Sequence, residues 1–207
     1  MAGQYLAEQF PQLDLHPIHG DFTNPRDVQR VTHEITESQR LVFFPGSTLG
    51  NFNRPQAIEI LANLKELMGA QGEILIGLDL IKEEHRLIAA YDDNRGVTAA
   101  FNKNILHRIN NELDGNFDID DGFKHQAVFN ADQERIEMHL TATQAQTVTV
   151  AGNDFHFNAG ESIHTENSHK YSPQSVAEMC QLVDLVIDKQ WQDDSGDFGV
   201  FRLVAAV

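Results

Sequence analysis

LVFFPGSTLGNF, residues 41–52, decides how the chain folds. Four apolar residues run without a break into Pro45-Gly46, and then come two hydroxyls, a second glycine and an asparagine. A short continuous apolar run bounded by turn residues reads as a strand buried on both faces. Downstream, RPQAIEILANLKELMG (54–69) has helical spacing. Pro55 lies in its first turn, Ile58, Leu61, Leu64 and Leu67 form an apolar stripe, and Gly69 stops it. EILIGLDL (73–80) is a second buried strand. Upstream, LDLHPIHGDF (13–22) reads as a strand ending at Gly20-Asp21, and NPRDVQRVTHEI (24–35) is helical through Val28, Val31 and Ile35. Gln4 to Phe10 read as the end of a helix. Strand, helix, strand, helix, strand is the α/β pattern and predicts a parallel sheet with right-handed crossovers.

Beyond residue 81 the pattern changes. Lys82 to Leu113 reads as helical throughout. From Phe123 to Glu166 the residues alternate (FKHQAVFN, ERIEMHLTATQAQTVTV, NDFHF, SIHTEN), as antiparallel strands do, with turns at 130–132 and 151–153. Ser172-Pro173 opens a helix expected to reach about Ile187, and GVFRLVAAV (199–207) closes the chain as a strand. Residues 1–80 and 173–207 are therefore expected to form one α/β domain, interrupted by an α+β insert over 81–172.

The 207 residues carry 15 basic and 31 acidic side chains, a net charge of −16. Such a surface repels phosphate backbones and anionic bilayers, so neither nucleic acid nor a membrane is an expected partner. No stretch is apolar enough to span a bilayer, and MAGQYLAEQF lacks the pattern of a secretory signal. The single cysteine, Cys180, lies on an apolar helical stripe and reads as a core residue. A cytoplasmic location fits these features.

Ligands of open α/β sheets sit beyond the carboxyl ends of the strands. Gly46 and Asn51 fall there, where a glycine admits close approach and an amide offers both donor and acceptor. A polar strand-to-helix loop explains the same residues equally well. Asp21-Phe22 pairs an acceptor with an aromatic ring, which suits an adenine, although Asp-Phe alone is commonly a turn.

GDFTNP, FFPGSTLGNF, LIGLDLIKEEHRLIAAYDDNRGVTAAFNKNILHRIN, IEMHLTATQAQTVTV and AGESIHTENSHKYS together resemble the histidine-specific N-alpha-methyltransferases of ergothioneine biosynthesis. The resemblance runs in order over essentially the whole chain, and AAYDDNRGVTAAFNKN (89–104) is its most specific block. It implies a Rossmann-like class I methyltransferase fold, with S-adenosylmethionine as methyl donor and the α-amine of L-histidine as acceptor, giving the betaine hercynine. It implies that Asp21 and Phe22 meet the adenine, that Gly46 and Thr48 line the substrate amine, and that Asn51 and Tyr91 hold the carboxylate. Met138 would pack near the imidazole, and Glu166 and Ser168 would bond its nitrogens. Positions 166 and 168 share one face of a strand, and a carboxylate and a hydroxyl can serve the two ring nitrogens. On spacing alone Tyr91, Phe101 and Met138 read as core; the resemblance moves Tyr91 and Met138 to the site and leaves Phe101 in the core.

This family's glycine-rich donor loop and the acidic residue that takes the ribose hydroxyls lie on the first two strands of its sheet. The glycines ahead of LVFF are Gly3 and Gly20 alone. The expectation is a partial sheet lacking its first two strands, with LDLHPI and LVFF each facing an empty place. Such strands close up, pair with another chain or a second copy, or leave the fold marginal. On its own the chain is expected to bind S-adenosylmethionine weakly or not at all and to be inactive. The alternative function is a non-catalytic remnant, or one half of a split methyltransferase whose partner completes the donor site. No catalytic base is identifiable.

No metal is expected. His164, Glu166 and His169 are the best cluster, with His164 and Glu166 on one strand face, but the spacing matches no strong zinc signature. His16 and His19 would point to opposite faces of a strand. DGNFDIDDG (114–122) lacks the oxygen spacing of a calcium loop, and Asp92-Asp93 reads as a solvated helix face.

Overall fold

The computed structural model describes residues 2–35 and 39–206 of the chain. Val207, the last residue of the expected closing strand, lies outside them. Among the described residues, two sheets and a hairpin make up the β structure. The larger sheet has the order β1-β2-β9-β8, from β1 (Leu41–Phe44), β2 (Glu73–Asp79), β8 (Leu185–Gln192) and β9 (Phe198–Ala205).

β1 and β2 are parallel, and α3 (Arg54–Met68) makes the crossover between them. The helix begins where its sequence dictates: the Asn53 and Gln56 side chains bond each other's backbone N–H groups in a capping box, and Pro55 sits in the first turn. It ends at Gly69, which has φ of +69°, a conformation that glycine adopts without strain. Leu61, Leu64 and Met68 of α3 and Val176, Met179 and Cys180 of α6 (Pro173–Gln181) are buried against Ile74, Ile76, Leu78, Phe201 and Leu203 of the sheet. Each such leucine contributes about 1.5–3 kcal/mol through burial. Burial also pushes the Cys180 thiol up to about 11, as expected of an inert core cysteine.

The second sheet, β3-β4-β7, is antiparallel: β3 (Phe123–Asn130), β4 (Arg135–Ala142) and β7 (Ser162–His169). α4 (Glu84–Tyr91) and α5 (Val97–Glu112) cover its inner face, burying Leu87 with Ala127 and Ile136, and Leu106 with Phe123 and Leu140. β5 (Gln146–Val150) and β6 (Asn153–Phe157) form the hairpin. α1 (Ala2–Gln9) and α2 (Pro25–Glu34) precede β1. The two sheets meet where β2 ends beside the end of β7: Tyr171 N–H donates to the Asp79 carbonyl and Ile81 N–H to the Tyr171 carbonyl.

Several expectations are corrected. LDLHPIHGDF is not a strand; it runs as exposed coil, and Pro17 lacks an N–H for a ladder. The sheet is mixed, since β9 runs antiparallel to β2 and β8 to β9. β1 is not buried on both faces. α3 covers Val42 and Phe44, whereas Leu41 and Phe43 are exposed, Phe43 to 65%. The segment 82–113 breaks into two helices at Asp92–Gly96, where the Asp93 carboxylate accepts from the N–H groups of Val97 and Thr98 and caps α5. Those bonds hold its carboxyl down at about 2. The helix from Pro173 stops at Gln181, and LVIDKQWQ, which alternates, becomes β8. ERIEMHLTATQAQTVTV divides into β4 and β5. Phe101 is 65% exposed rather than core.

Candidate functional site

The turn after β1 is built from two successive left-handed residues, Gly46 (φ +80°) and Ser47 (φ +58°). Serine tolerates this because it is held on both sides: its N–H donates to the Gly77 carbonyl, and its Oγ accepts from the Asp79 N–H at 2.9 Å. A Cβ on Gly46 would meet nothing within 4 Å, so open space lies over that backbone. Thr48 then starts a single 3₁₀ turn, Thr48–Asn51. Gly50 has another role: a Cβ there would stand 2.8 Å from the His169 carbonyl oxygen. Its bare backbone lets the turn lie directly on the end of β7, which brings Asn51 to that strand.

The inner face of β4 and β7 carries the other residues. Met138 pairs with Glu166 and Ile136 with Ser168, so Glu166 and Ser168 share a face, as their spacing predicts. Met138 is buried beside them. Tyr91, at the end of α4, places its hydroxyl 2.7 Å from Ser168 Oγ. Asn51 and Glu166 line one cavity of about 300 Å³ with His164, Thr165 and Asn167. Glu166 also borders a second, of about 260 Å³, with Phe101, Asn102, Ile105, Arg108 and Thr165. Burial pushes the Glu166 carboxyl up, and the Lys170 charge offsets this only in part.

Asp21 and Phe22 sit apart from this cluster, at the rim of an apolar cavity of about 220 Å³ with Ile18, Val28, Val31 and Leu67. Phe22 meets Phe44 and Phe52 edge to face, at 5.3 and 6.2 Å, so it touches both sides of the Gly46–Asn51 turn. Asp21 Oδ1 accepts from the Thr23 hydroxyl and N–H, which lowers its pKa.

The histidine expectation changes. β7 carries a bulge at Thr165: His164 pairs with His139, yet Glu166 pairs with Met138. The extra residue puts His164 and Glu166 on opposite faces. Thr165 Oγ1 is shared between Asn102 Oδ1 at 2.6 Å and the Met138 carbonyl at 3.0 Å, which fixes the bulge. His169 points elsewhere, its Nδ1 against the Gln133 carbonyl. His16 and His19 lie in exposed coil. On the outer face Glu137, His139 and His164 bring ligand atoms within 4.8 Å of one another. There Glu137 is already held by Arg135, Asn130 and His139, and the two imidazoles stack at 4.7 Å. Stacked rings do not aim in-plane lone pairs at a common ion.

Sequence reasoning missed Ser47, Asp79 and Lys170. Lys170 is wholly buried, and its Nζ donates to Asp79 Oδ2 (2.6 Å), Ser168 Oγ (2.7 Å) and Tyr91 Oη (2.9 Å). Two signals pointed to this network: position 170 continues the alternation of 166 and 168, and Asp79 stands at the carboxyl end of a buried strand.

A family model described as histidine-specific methyltransferase, SAM-dependent, matches residues 1–205. The chain belongs to that family. The histidine N-alpha-methyltransferase of Mycolicibacterium smegmatis is 40% identical over 201 residues, 96% of this chain and 61% of the relative. That of Mycobacterium tuberculosis is 38% identical over 197 residues, 94% of this chain and 60% of the relative. The chain thus spans about three fifths of the length of these curated relatives. Among solved structures, an S-adenosylmethionine-dependent methyltransferase from Clostridium acetobutylicum superimposes with a TM-score of 0.50 at 9% identity, covering all of this chain and 70% of the other. That likeness bears on the α/β fold alone. Among the described residues no helix is long and apolar enough to cross a membrane.

Proposed function

We propose that this chain carries the histidine-binding part of an S-adenosylmethionine-dependent methyltransferase that methylates the α-amine of L-histidine to hercynine. The observation that carries the reading is that Asn51 of the β1 turn and Glu166 of β7 line one cavity, with Met138 paired to Glu166 and the Tyr91 and Ser168 hydroxyls joined beside them. In this reading residues 81–172 form the substrate-binding insert of the α/β domain 1–80 and 173–207. The Asn51 amide and the Tyr91 hydroxyl take the substrate carboxylate. Gly46, with open space over its backbone, and Thr48 take the amine. Met138 supports the imidazole, and Glu166 and Ser168 bond its nitrogens. A site that hydrogen-bonds a ring rejects side chains lacking those atoms by orders of magnitude, because its own polar groups would be left unpaired.

Asp21 and Phe22 fit the adenine end of the donor: an aromatic edge closes the apolar cavity, and a carboxylate at its rim accepts from an exocyclic amine. The fit extends to the adenine only. S-adenosylmethionine supplies a methyl group activated on a sulfonium; the chain's own residues hold the histidine so that its neutral amine faces the donor in line.

A second reading is half of a two-chain enzyme. It is favoured by β1, which among the described residues pairs only with β2, and by the exposed Leu41 and Phe43 beside its free edge. A second copy could pair with that edge as well as a different chain. Titration calorimetry with L-histidine and S-adenosylhomocysteine, singly and together, tests both readings. Histidine is expected to bind, and S-adenosylhomocysteine to bind weakly or not at all. Silence from histidine in a folded sample overturns the histidine reading. Tight binding of S-adenosylhomocysteine by the monomer overturns the two-chain reading.

A further inference from the structure

Lys170 is a buried ammonium with three protons, and all three are engaged: by Asp79 Oδ2, Ser168 Oγ and Tyr91 Oη. Its Nζ also lies 4.6 Å from the centre of the Tyr91 ring. An ammonium accepts nothing, so it fixes the bookkeeping of the two hydroxyls it touches. Each hydroxyl has one proton to give, and each already accepts from Lys170. The two oxygens are 2.7 Å apart, so one hydroxyl donates to the other. Only one hydroxyl proton is left for a ligand.

We infer that Lys170, anchored by Asp79, is a positioning residue that makes Tyr91 and Ser168 a one-proton pair, so that the site takes the histidine ring together with an added proton. The inference rests on the histidine reading. If Tyr91 gives its proton to the ligand carboxylate, Ser168 must give its own to Tyr91 Oη. Ser168 then meets the ring only as an acceptor. Glu166, two residues away on the same face, is the other ring contact and as a carboxylate also only accepts. Two acceptors match a ring bearing N–H on both nitrogens. The equivalent arrangement, a protonated Glu166 donating to a neutral ring, holds the same extra proton. The burial that pushes the Glu166 carboxyl up favours retaining that proton.

The charges around the ring contacts are few. Lys170 and Asp79 form a pair, with Lys82 on the other oxygen of Asp79 at 2.7 Å. Arg108 of α5 borders the cavity beyond Glu166, and His164 of β7 donates through Nε2 to the Glu166 carbonyl. His125 of β3 meets the Tyr91 carbonyl, on the far side from the hydroxyl.

The test uses hercynine as the probe, because its quaternary nitrogen cannot titrate and its ring is mostly neutral at about pH 7.5. The 207-residue chain is titrated calorimetrically in buffers of differing ionisation enthalpy. The expected result is uptake of about one proton per hercynine bound. In Lys170→Met, shown to be folded by circular dichroism, hercynine affinity falls at least about tenfold and the uptake shrinks. In Ser168→Ala the uptake also shrinks, while Asp154→Ala, on the exposed β5–β6 hairpin, retains it. Binding without proton uptake by the native chain overturns this inference and leaves the histidine reading standing. Full uptake retained in a folded Lys170→Met also overturns it. No binding of either hercynine or histidine to the native chain overturns the histidine reading and this inference with it.

Discussion

Replacing Asp79 by asparagine isolates one charge in the interior. The Lys170 side chain has no exposed surface, and the Asp79 carboxylate is its counter-ion at 2.6 Å. Asp79→Asn keeps the shape and an acceptor oxygen but strands the ammonium. Removing one partner of a buried pair costs about 3–5 kcal/mol, which at a urea slope of about 2 kcal/mol/M moves the midpoint down by about 1.5–2.5 M. Lys170→Met is the informative control. It removes the buried charge itself and leaves Asp79 with Lys82 at 2.7 Å. Its loss is the three hydrogen bonds, two of them to hydroxyls that can turn to each other or to water, about 1–3 kcal/mol. The expected order is therefore Asp79→Asn well below Lys170→Met. The double variant should lie above Asp79→Asn alone, because methionine removes the stranded charge. Urea unfolding followed by far-ultraviolet circular dichroism reads all three. Equal midpoints for the two single variants, or a double variant as destabilised as their sum, would refute the claim that the pair is energetically coupled.

Gly50→Ala drives a Cβ to 2.8 Å from the His169 carbonyl, and since both are backbone, relief requires the turn to lift off β7. A loss of about 1–3 kcal/mol is expected, read as a lower thermal midpoint, together with weaker histidine binding because Asn51 moves with the turn. Glu137→Gln should flatten the acid limb of the stability curve. Burial opposes ionisation there, but bonds from Arg135, Asn130 and His139 hold the folded carboxyl at about 2 against an ordinary 4.5. Its contribution is complete above pH 4.5 and fades as pH falls toward about 2. An unchanged acid limb in the variant would show that those bonds do not favour the carboxylate.

The legible parts of this chain were those written in local chemistry. The α3 crossover is announced by Pro55 and Gly69, and each stands at the helix end its type suggests; the Asn53 cap came only with the structure. The shared face of Glu166 and Ser168 follows from a period of two. Where the reading failed, a non-local term decided. LDLHPI has strand-like composition, but a strand needs a neighbour, and among the described residues none pairs with it. LVFF is apolar throughout, yet composition could not say that α3 would cover only one face. Leu185 to Ile187 read as a continuation of the helix from Pro173, and pairing with β9 makes them the start of a strand.

The bulge at Thr165 is the deepest of these cases, because one residue reassigns the chemistry of a whole strand. Without it, strict alternation would set His164, Glu166, Ser168 and Lys170 on one face, and an imidazole would stand beside the carboxylate and the ammonium. The extra residue turns His164 outward to stack on His139 and leaves Glu166, Ser168 and Lys170 inward. Nothing in HTEN specifies a bulge locally. It is fixed by a side chain 63 residues upstream, Asn102 of α5, whose Oδ1 receives the Thr165 hydroxyl while its Nδ2 donates to the His139 carbonyl. The inner face is thereby left with one carboxylate, two linked hydroxyls and an ammonium, an acceptor-rich wall whose protons are almost all committed. That is the chemistry suited to a small, proton-bearing heterocycle.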